Sequence, residues 1–441
     1  MDRHLSSEDR VISLLSHAST AGYIGEPVSQ LEHALQAAAL ATAARGSESE
    51  VLAALLHDLG HLCDPGAAQM ANLGVMHHEQ VGARFLRELG ISDEVATLVS
   101  LHVDAKRYLA AKAGYAEKLS EASRQTLDYQ GGAMTAEQAR DFETHPLQRA
   151  ALRLRAYDDA AKEPGRQVPD LGTYRPMLRR HLGSQLTSQG LEDWQRRGFL
   201  HLQGWYSSDE MKRVTEVTGV LEALPETPGK WMKYFESAGG QRQLCRVENF
   251  LQYEPVFDEI ARGPAIMQLL ARLLGEPAVI FKEKINFKLP GGQGFAPHQD
   301  APAFTGYAQD YHVTVMLSID STTVENGCLE IATNPGEGQL LARKEDLTLA
   351  DEVVASLDWQ PVVTSPGDLV IFDSFLPHRS GVNRSGAARR ALYTTYNRAS
   401  AGSYRETYFQ KKRDTFPPDI ERIPGQHYAS GVYNVGNPIE Q

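Results

Sequence analysis

Cysteine is scarce: Cys63, Cys245 and Cys328 are the only three in 441 residues. An odd number at such wide spacing does not read as a disulfide framework or a thiolate zinc cluster, and a reducing cytoplasm is the expected compartment. Long apolar runs are missing as well. The nearest, the alanine-rich stretch from Ala34 to Ala44, falls short of the roughly 20 residues of a membrane span, and the polar start Met1 to Arg10 lacks the apolar core of a signal peptide. A protein acting away from membranes is expected. Positive charge is also in deficit, with 44 Lys and Arg against 56 Asp and Glu and a net charge of -12. Neutralising a phosphate backbone takes the opposite surplus, so no nucleic-acid partner is expected, although a local basic pocket for a small anion remains compatible.

What remains is ordinary globular composition, 42% hydrophobic and 23% charged, in a chain about twice the length one core usually serves. Two domains are therefore expected. Apolar positions recur at helical spacing over residues 29–45, 48–57, 78–89 and 93–102. The polar run from Gly183 to Gly190 reads as a boundary. Beyond it, strand patterns occupy 278–289, 311–319, 327–332, 361–364, 368–372 and 390–396, with helices near 207–224 and 264–274. This predicts a helical domain over 1–185 and an antiparallel barrel or sandwich over 186–441. Nothing in the sequence fixes the oligomeric state, and a homo-oligomer is compatible with it.

Histidine is the residue in excess where it matters: eight of the fifteen lie in the first 102 residues. His57-Asp58 closes an apolar helix, so an imidazole and a carboxylate emerge side by side. His33 stands one helix upstream, His78 and His102 lie one and two helices downstream, and Asp158 comes later in RLRAYDDAAK. Six nitrogen and oxygen donors without a thiolate suit two iron or manganese ions better than structural zinc. His77 is expected outside the set.

This pattern, His33, His57-Asp58 and Asp158, resembles the HD-domain superfamily, most of whose members are phosphohydrolases. His78 and His102 resemble its dinuclear subgroup. The segment from Tyr23 through Glu26 to His33 resembles the HD-type mixed-valence diiron oxygenases that cleave the carbon-phosphorus bond of 1-hydroxyalkylphosphonates, with myo-inositol oxygenase a more distant relative. The resemblance implies iron ligands His33, His57, Asp58 as the bridge, His78, His102 and Asp158. It implies further that Tyr23 and Glu26 form a loop capping the iron, that His61, Lys106 and Arg155 hold the phosphonate, and that Ser123 and Gln130 line the same pocket. Asp159 competes with Asp158; the family pattern, an aromatic before the ligand and a lysine four residues after it, favours Asp158 through Tyr157 and Lys162.

In the second half, His298-Gln299-Asp300 followed by His378 has the form of a two-histidine, one-carboxylate facial triad, which leaves iron positions open for cosubstrate and oxygen. Arg389, with Ser380, has the chemistry to grip a carboxylate as a fork. Together these resemble the phytanoyl-CoA dioxygenase family of iron(II)/2-oxoglutarate oxygenases over about residues 190–410. That implies His298, Asp300 and His378 on iron, and Arg389, Ser380 and, as in the related ectoine hydroxylases, Asn286 on 2-oxoglutarate. Arg390 competes with Arg389. Asp300 disfavours a halogenase, which keeps a small residue there. Lys284, Lys288, Arg246 and Arg398 are candidate partners for an anionic substrate.

The resemblances imply an all-α HD-domain helical bundle (1–185) followed by a double-stranded β-helix, or jelly-roll, domain with flanking helices (186–441). They imply a bifunctional enzyme of phosphonate catabolism. The second domain, using Fe(II), 2-oxoglutarate and O2, would hydroxylate the carbon next to phosphorus of 2-aminoethylphosphonate or an N-methylated analogue. The first, with a mixed-valence Fe(II)/Fe(III) pair, would cleave the product to phosphate and glycine or a glycine-betaine-like acid. Two alternatives stay open, a metal-dependent phosphohydrolase or a regulatory module in the HD half, attached to a 2-oxoglutarate hydroxylase of another small metabolite.

Overall fold

The computed structural model describes residues 7–18, 26–64, 66, 68–70, 73–182, 186, 188–304, 306–307, 311–333, 338–428 and 431–436. The chain divides into two compact units, Met1–Gln185 and Leu186–Gln441. No helix among the described residues is long and apolar enough to cross a membrane.

The first unit is all helical: α1 (Ser7–His17), α2 (Gln30–Ala43), α3 (Glu48–Leu56), the single turn α4 (Gly60–Cys63), α5 (His78–Glu88), α6 (Asp93–Ala110), α7 (Glu121–Tyr129), α8 (Ala136–Thr144), α9 (Gln148–Ala160) and α10 (Arg175–His181). Their starts are written locally. Ser29 with Glu32, Ser47 with Glu50, and Thr135 with Gln138 form reciprocal capping boxes at α2, α3 and α8, each cap worth about 1 kcal/mol. The buried alanines Ala34, Ala37, Ala38 and Ala41 let α2 lie close on α3 and α9. Gly60 serves the same end where α4 crosses α5: a Cβ there would fall 1.9 Å from the carbonyl oxygen of His78. One apolar core, including Leu52, Leu55, Leu86, Val95, Val99 and Leu154, joins α3, α5, α6 and α9, the helices that carry most of the candidate metal donors.

The second unit comprises α11 (Ser188–Arg197), β1 (Phe199–Leu202), α12 (Ser208–Ala223), β2 (Met232–Ala238), β3 (Gln241–Glu248), α13 (Pro255–Arg262), α14 (Pro264–Leu274), β4 (Ala278–Lys288), β5 (Phe295–His298), β6 (His312–Ser318), β7 (Leu329–Ala332), α15 (Asp351–Ser356), β8 (Trp359–Val362), β9 (Leu369–Asp373), β10 (His378–Ser380), β11 (Arg389–Arg398) and α16 (Arg405–Thr415). Seven strands form one sheet in the order β1-β9-β6-β11-β4-β3-β2, and four form another, β5-β10-β7-β8. Every pairing is antiparallel. Alternation along the strands assigns their faces. Met316, Val370, Phe372, Ala391 and Tyr393 of the large sheet share a core with Leu329, Ile331 and Val362 of the small one. Val313, Val315, Leu317, Leu369, Ile371 and Leu392 turn the other way, onto α12, α13 and α14. This is the jelly-roll arrangement with flanking helices.

The longer apolar patterns of the sequence become β4, β6 and β11. The hairpin β2–β3 was not anticipated, although its Gly239-Gly240 turn, both residues at positive φ, was a usable signal. Of the boundary read at Gly183 to Gly190, residues 183–185 and 187 lie outside the described residues, and the chain is already helical from Ser188.

Candidate metal centres

In the first unit, packing brings donors from five places in the sequence to one point: His33 from α2, His57-Asp58 just past α3, His78 at the start of α5, His102 in α6 and Asp158 in α9. The Nε2 atoms of His33 and His57 lie 3.0 Å apart, and those of His78 and His102 lie 3.1 Å apart. Asp58 stands between the two pairs. Its Oδ2 is 3.7 and 3.4 Å from His33 and His57, and its Oδ1 is 3.3 and 3.8 Å from His78 and His102. Asp158 Oδ1 joins the first pair at 3.4 and 3.8 Å. His77, at φ +55°, precedes α5 and points away, mostly exposed.

The hydrogen bonds orient these donors. The Nδ1–H groups of His33, His57 and His102 donate to the carbonyls of Ala161, Ala54 and Val99 at 2.8, 2.8 and 2.7 Å. A carbonyl can only accept, so each Nε2 is left with its lone pair facing the centre. His78 Nδ1 instead faces Glu79, 3.8 Å away. Facing lone pairs at 3.0 Å repel unless a cation lies between them, and the buried Asp58 Oδ2 has no hydrogen-bond partner among the described residues. Burial opposes charge on His57, yet without a metal ion Asp58 and Asp158 outweigh it and raise its pKa to about 9, so that a proton on Nε2 takes the place a metal ion would fill. Positive charge is called for here, and two metal ions bridged by Asp58 fit the donor set.

An open cavity of about 500 Å³ adjoins the centre, lined among others by Glu26, His61, Lys106, Ser123, Gln130 and Arg155. Lys106 Nζ donates to Thr126 Oγ1 and Gln130 Oε1 at 2.8 and 2.9 Å, and burial together with Arg155 lowers its pKa to about 7. His61 stacks on His78 with ring centres 4.1 Å apart and accepts from the Val75 amide through Nδ1. Burial and His78 pull its pKa down to about 3, so it is neutral and its Nε2–H is a donor. Arg155 is more committed than the sequence indicated: it donates to Tyr115 Oη at 2.9 Å, to Asp158 Oδ2 at 2.6 Å and to Asp159 Oδ1. Asp159 thus holds Arg155 and Tyr115, while Asp158 faces the histidines. Glu26 pairs with Lys162 at 2.8 Å, whereas Tyr23 lies outside the described residues.

In the second unit, His298 of β5 and His378 of β10 are direct cross-strand partners with ring centres 4.3 Å apart. Asp300 completes a group whose donor atoms all lie within 4.8 Å of one another. The Nδ1–H groups of both histidines donate to carbonyls, of Ala296 at 2.7 Å and Leu376 at 3.0 Å, which again leaves Nε2 toward the centre. Burial, with His378 nearby, lowers the pKa of His298 to about 3. Burial would raise Asp300, but His378, Lys282 and Lys284 hold its carboxyl below the usual range. Three converging, unprotonated donors on one side of a cavity of about 440 Å³ fit a facially bound metal.

Beside this group the inner face of β4 carries Lys282, Lys284, Asn286 and Lys288 at alternate positions. Lys288 pairs across strands with Arg389 of β11, and its Nζ donates to Ser380 Oγ at 2.7 Å and Gly381 O at 2.6 Å. Arg389 is 1% exposed, and its Nε and Nη2 have no partner among the described residues. Asn286 Oδ1 is likewise buried and unpartnered. Two cations and orphaned donors in one recess fit the carboxylate end of 2-oxoglutarate. Arg390 lies on the opposite face of β11, held by Asp320 at 2.8 and 2.9 Å. Arg398, partly exposed, donates to Leu274 O. Sequence reasoning passed over Lys282, although the alternation in KEKINFK marks it.

Two family descriptions match the chain: "HD domain" over residues 31–138 and "Phytanoyl-CoA dioxygenase (PhyH)" over residues 194–391. The chain is 47% identical over 261 residues to a 2-aminoethylphosphonate dioxygenase from an uncultured bacterium, a match covering 58% of this chain and all of that protein. It is 42% identical over 171 residues to a hydroxymethylphosphonate dioxygenase of Gimesia maris, covering 38% of this chain and 85% of the relative. It is 38% identical over 168 residues to a glycine-betaine-forming [1-hydroxy-2-(trimethylamino)ethyl]phosphonate dioxygenase of Leisingera caerulea, covering 37% and 85%.

Proposed function

This chain belongs to the phytanoyl-CoA dioxygenase family in its C-terminal unit, carries an HD domain in its N-terminal unit and is an oxidoreductase of the dioxygenase type, and from that premise we propose that it performs two successive oxidations of a small organophosphonate. The C-terminal unit hydroxylates the carbon bonded to phosphorus. The N-terminal unit takes the resulting 1-hydroxyphosphonate and breaks the carbon-phosphorus bond, giving phosphate and a carboxylic acid. The observation that carries this reading is the pairing, in one chain, of a three-donor centre beside an Arg389 recess with a six-donor centre, Asp58 standing between its two histidine pairs, beside a cationic cavity.

In the C-terminal unit His298, Asp300 and His378 would hold one Fe(II), with Arg389 forking onto the distal carboxylate of 2-oxoglutarate and Ser380 and Asn286 supporting it. In the N-terminal unit His33, His57 and Asp158 on one side, and His78 and His102 on the other, would hold a mixed-valence Fe(II)/Fe(III) pair sharing Asp58. Iron at both centres supplies the activation of O2, with 2-oxoglutarate as the co-reductant that leaves as succinate and carbon dioxide in the first step only. Lys106, aimed by Thr126 and Gln130, and the Nε2–H of His61 bind the phosphonate oxygens. Ser123 lines the same wall. Arg155 acts at one remove, fixing Asp158 in place. Glu26, which accepts from Lys162, lines the cavity wall next to the donors.

The sizes of the relatives accord with this division. The matches to 1-hydroxyphosphonate dioxygenases span 168 and 171 residues, close to the N-terminal unit, and those to the 2-aminoethylphosphonate dioxygenase and to a methylphosphonate hydroxylase span 261 and 235, close to the C-terminal one. The substrate class that follows is 2-aminoethylphosphonate or an N-methylated analogue. Iron-loaded protein incubated with 2-oxoglutarate, O2 and a panel of phosphonates, followed by phosphorus NMR, should convert one of them to a 1-hydroxyphosphonate and then to phosphate. A supplied 1-hydroxyphosphonate should yield phosphate without 2-oxoglutarate. Phosphate release under strict anaerobiosis would refute the oxygenase reading in favour of hydrolysis.

A further inference from the structure

We infer that Lys284 and Lys282 of β4, backed by Arg246 of β3, form the subsite that holds the substrate's phosphonate in the C-terminal unit; the inference rests on the phosphonate reading above and names the residues that read it. The β4 stripe has two ends about 20 Å apart at strand rise. At one end Lys288 is consumed by Ser380, Gly381 and the neighbouring Arg389, and belongs to the recess assigned to 2-oxoglutarate. At the other, Lys282 and Lys284 line the cavity of His298, Asp300 and His378. Neither ammonium has a hydrogen-bond acceptor among the described residues. Lys284 rests over the Tyr393 ring at 5.3 Å, and Lys282 over Phe304 and Tyr408 at 4.6 and 5.5 Å.

Arg246 lies behind them, paired in register with Asn286. One of its nitrogens donates to Glu248 Oε1 at 2.8 Å, and Lys412 donates to the other oxygen of that carboxylate at 2.6 Å. The remaining Nε and Nη2 of Arg246 are buried without a partner among the described residues. Four cations therefore gather around two carboxylates, Glu248 and Asp300, and Asp300 is one of the three donors to the metal. Buried cations in excess are costly unless an anion completes them. A tetrahedral dianion with three acceptor oxygens meets that excess in charge and in hydrogen-bonding capacity, and sets the carbon attached to phosphorus beside the three metal donors. Aromatic faces beneath both lysines keep their ammonium groups aimed into the cavity.

The test uses the full, iron-loaded chain with 2-aminoethylphosphonate, its N-trimethylated analogue and methylphosphonate as probes, comparing wild type with Lys284→Met and Lys282→Met. For whichever phosphonate the wild type consumes, KM should rise 30-fold or more in Lys284→Met, with KM for 2-oxoglutarate changed less than threefold. Succinate should then form without matching hydroxyphosphonate. Lys284→Arg, which keeps the charge, should recover part of the loss. A phosphonate KM within threefold of wild type, or a rise in KM for 2-oxoglutarate instead, overturns the subsite. Wild-type protein that consumes none of the three refutes the phosphonate reading itself, which separates the two failures.

Discussion

Arg389→Lys tests the second centre most directly. Arg389 is 1% exposed, its guanidinium has two nitrogens without partners among the described residues, and it crowds Lys288, whose pKa burial and Arg389 lower to about 7. A carboxylate fork would satisfy both nitrogens at once and relieve the crowding of cations. Lysine keeps the charge but presents a point donor where the fork offered two parallel bonds, so at least one charge-assisted hydrogen bond is lost, worth about 1.5–3 kcal/mol. At 1.4 kcal/mol per factor of ten, KM for 2-oxoglutarate should rise about 10- to 150-fold. The assay is succinate formation by the full chain at saturating phosphonate. Phosphate release from a supplied 1-hydroxyphosphonate, the work of the other unit, should not change. A KM within threefold of wild type, or a parallel fall in the 1-hydroxyphosphonate reaction, would refute the assignment.

Three further outcomes are expected. His57→Ala should remove a donor from between Asp58 and Asp158, lowering iron content and cutting phosphate release from a 1-hydroxyphosphonate more than 100-fold while succinate formation persists, as read by metal analysis and the two product assays. Gly327 and Gly275 both sit near φ +75°, but a Cβ at 327 would fall 2.2 Å from Gly381 O and 3.1 Å from Lys288 Nζ, whereas at 275 it meets nothing within 4 Å. In chemical denaturation Gly275→Ala should cost about 1 kcal/mol, and Gly327→Ala distinctly more with a raised KM for 2-oxoglutarate. Burial raises the carboxyl of Asp373 from its ordinary 3.8 to about 6, so the folded state binds that proton more tightly and stability falls as pH climbs through this window. Asp373→Asn keeps an acceptor for the Phe375 and Leu376 amides and should stabilise by about 3 kcal/mol at pH 8 and by almost nothing at pH 3, measured as ΔG of unfolding.

The metal donors were legible because few side chains can ligate iron and because His57-Asp58 and His298-Gln299-Asp300 place two donors within one or two residues of each other. Helix starts were legible for a similar reason, since capping boxes such as Ser29 with Glu32 act over three residues. The shortest strand was not: β10 has three residues, and only the β5 and β7 partners on either side make it a strand. Choices between neighbours rested on family resemblance in the sequence, and the fold supplies their physical reason. Helix phase turns Asp158 to the histidines and Asp159 to Arg155 and Tyr115, and the strand pleat turns Arg389 inward and Arg390 to Asp320.

By itself, then, the sequence determined which chemistries the chain can support, two oxygen- and nitrogen-donor metal centres and a carboxylate-binding arginine, because residue type and short spacing suffice for that. Tertiary structure alone decided that Asp58 stands between two histidine pairs, that Lys288 and Lys284 serve opposite ends of one stripe, and that Arg155 is spent on a carboxylate. Those outcomes depend on atoms from segments up to 128 residues apart meeting within 3–4 Å, as His33 meets Ala161, and only packing brings them there.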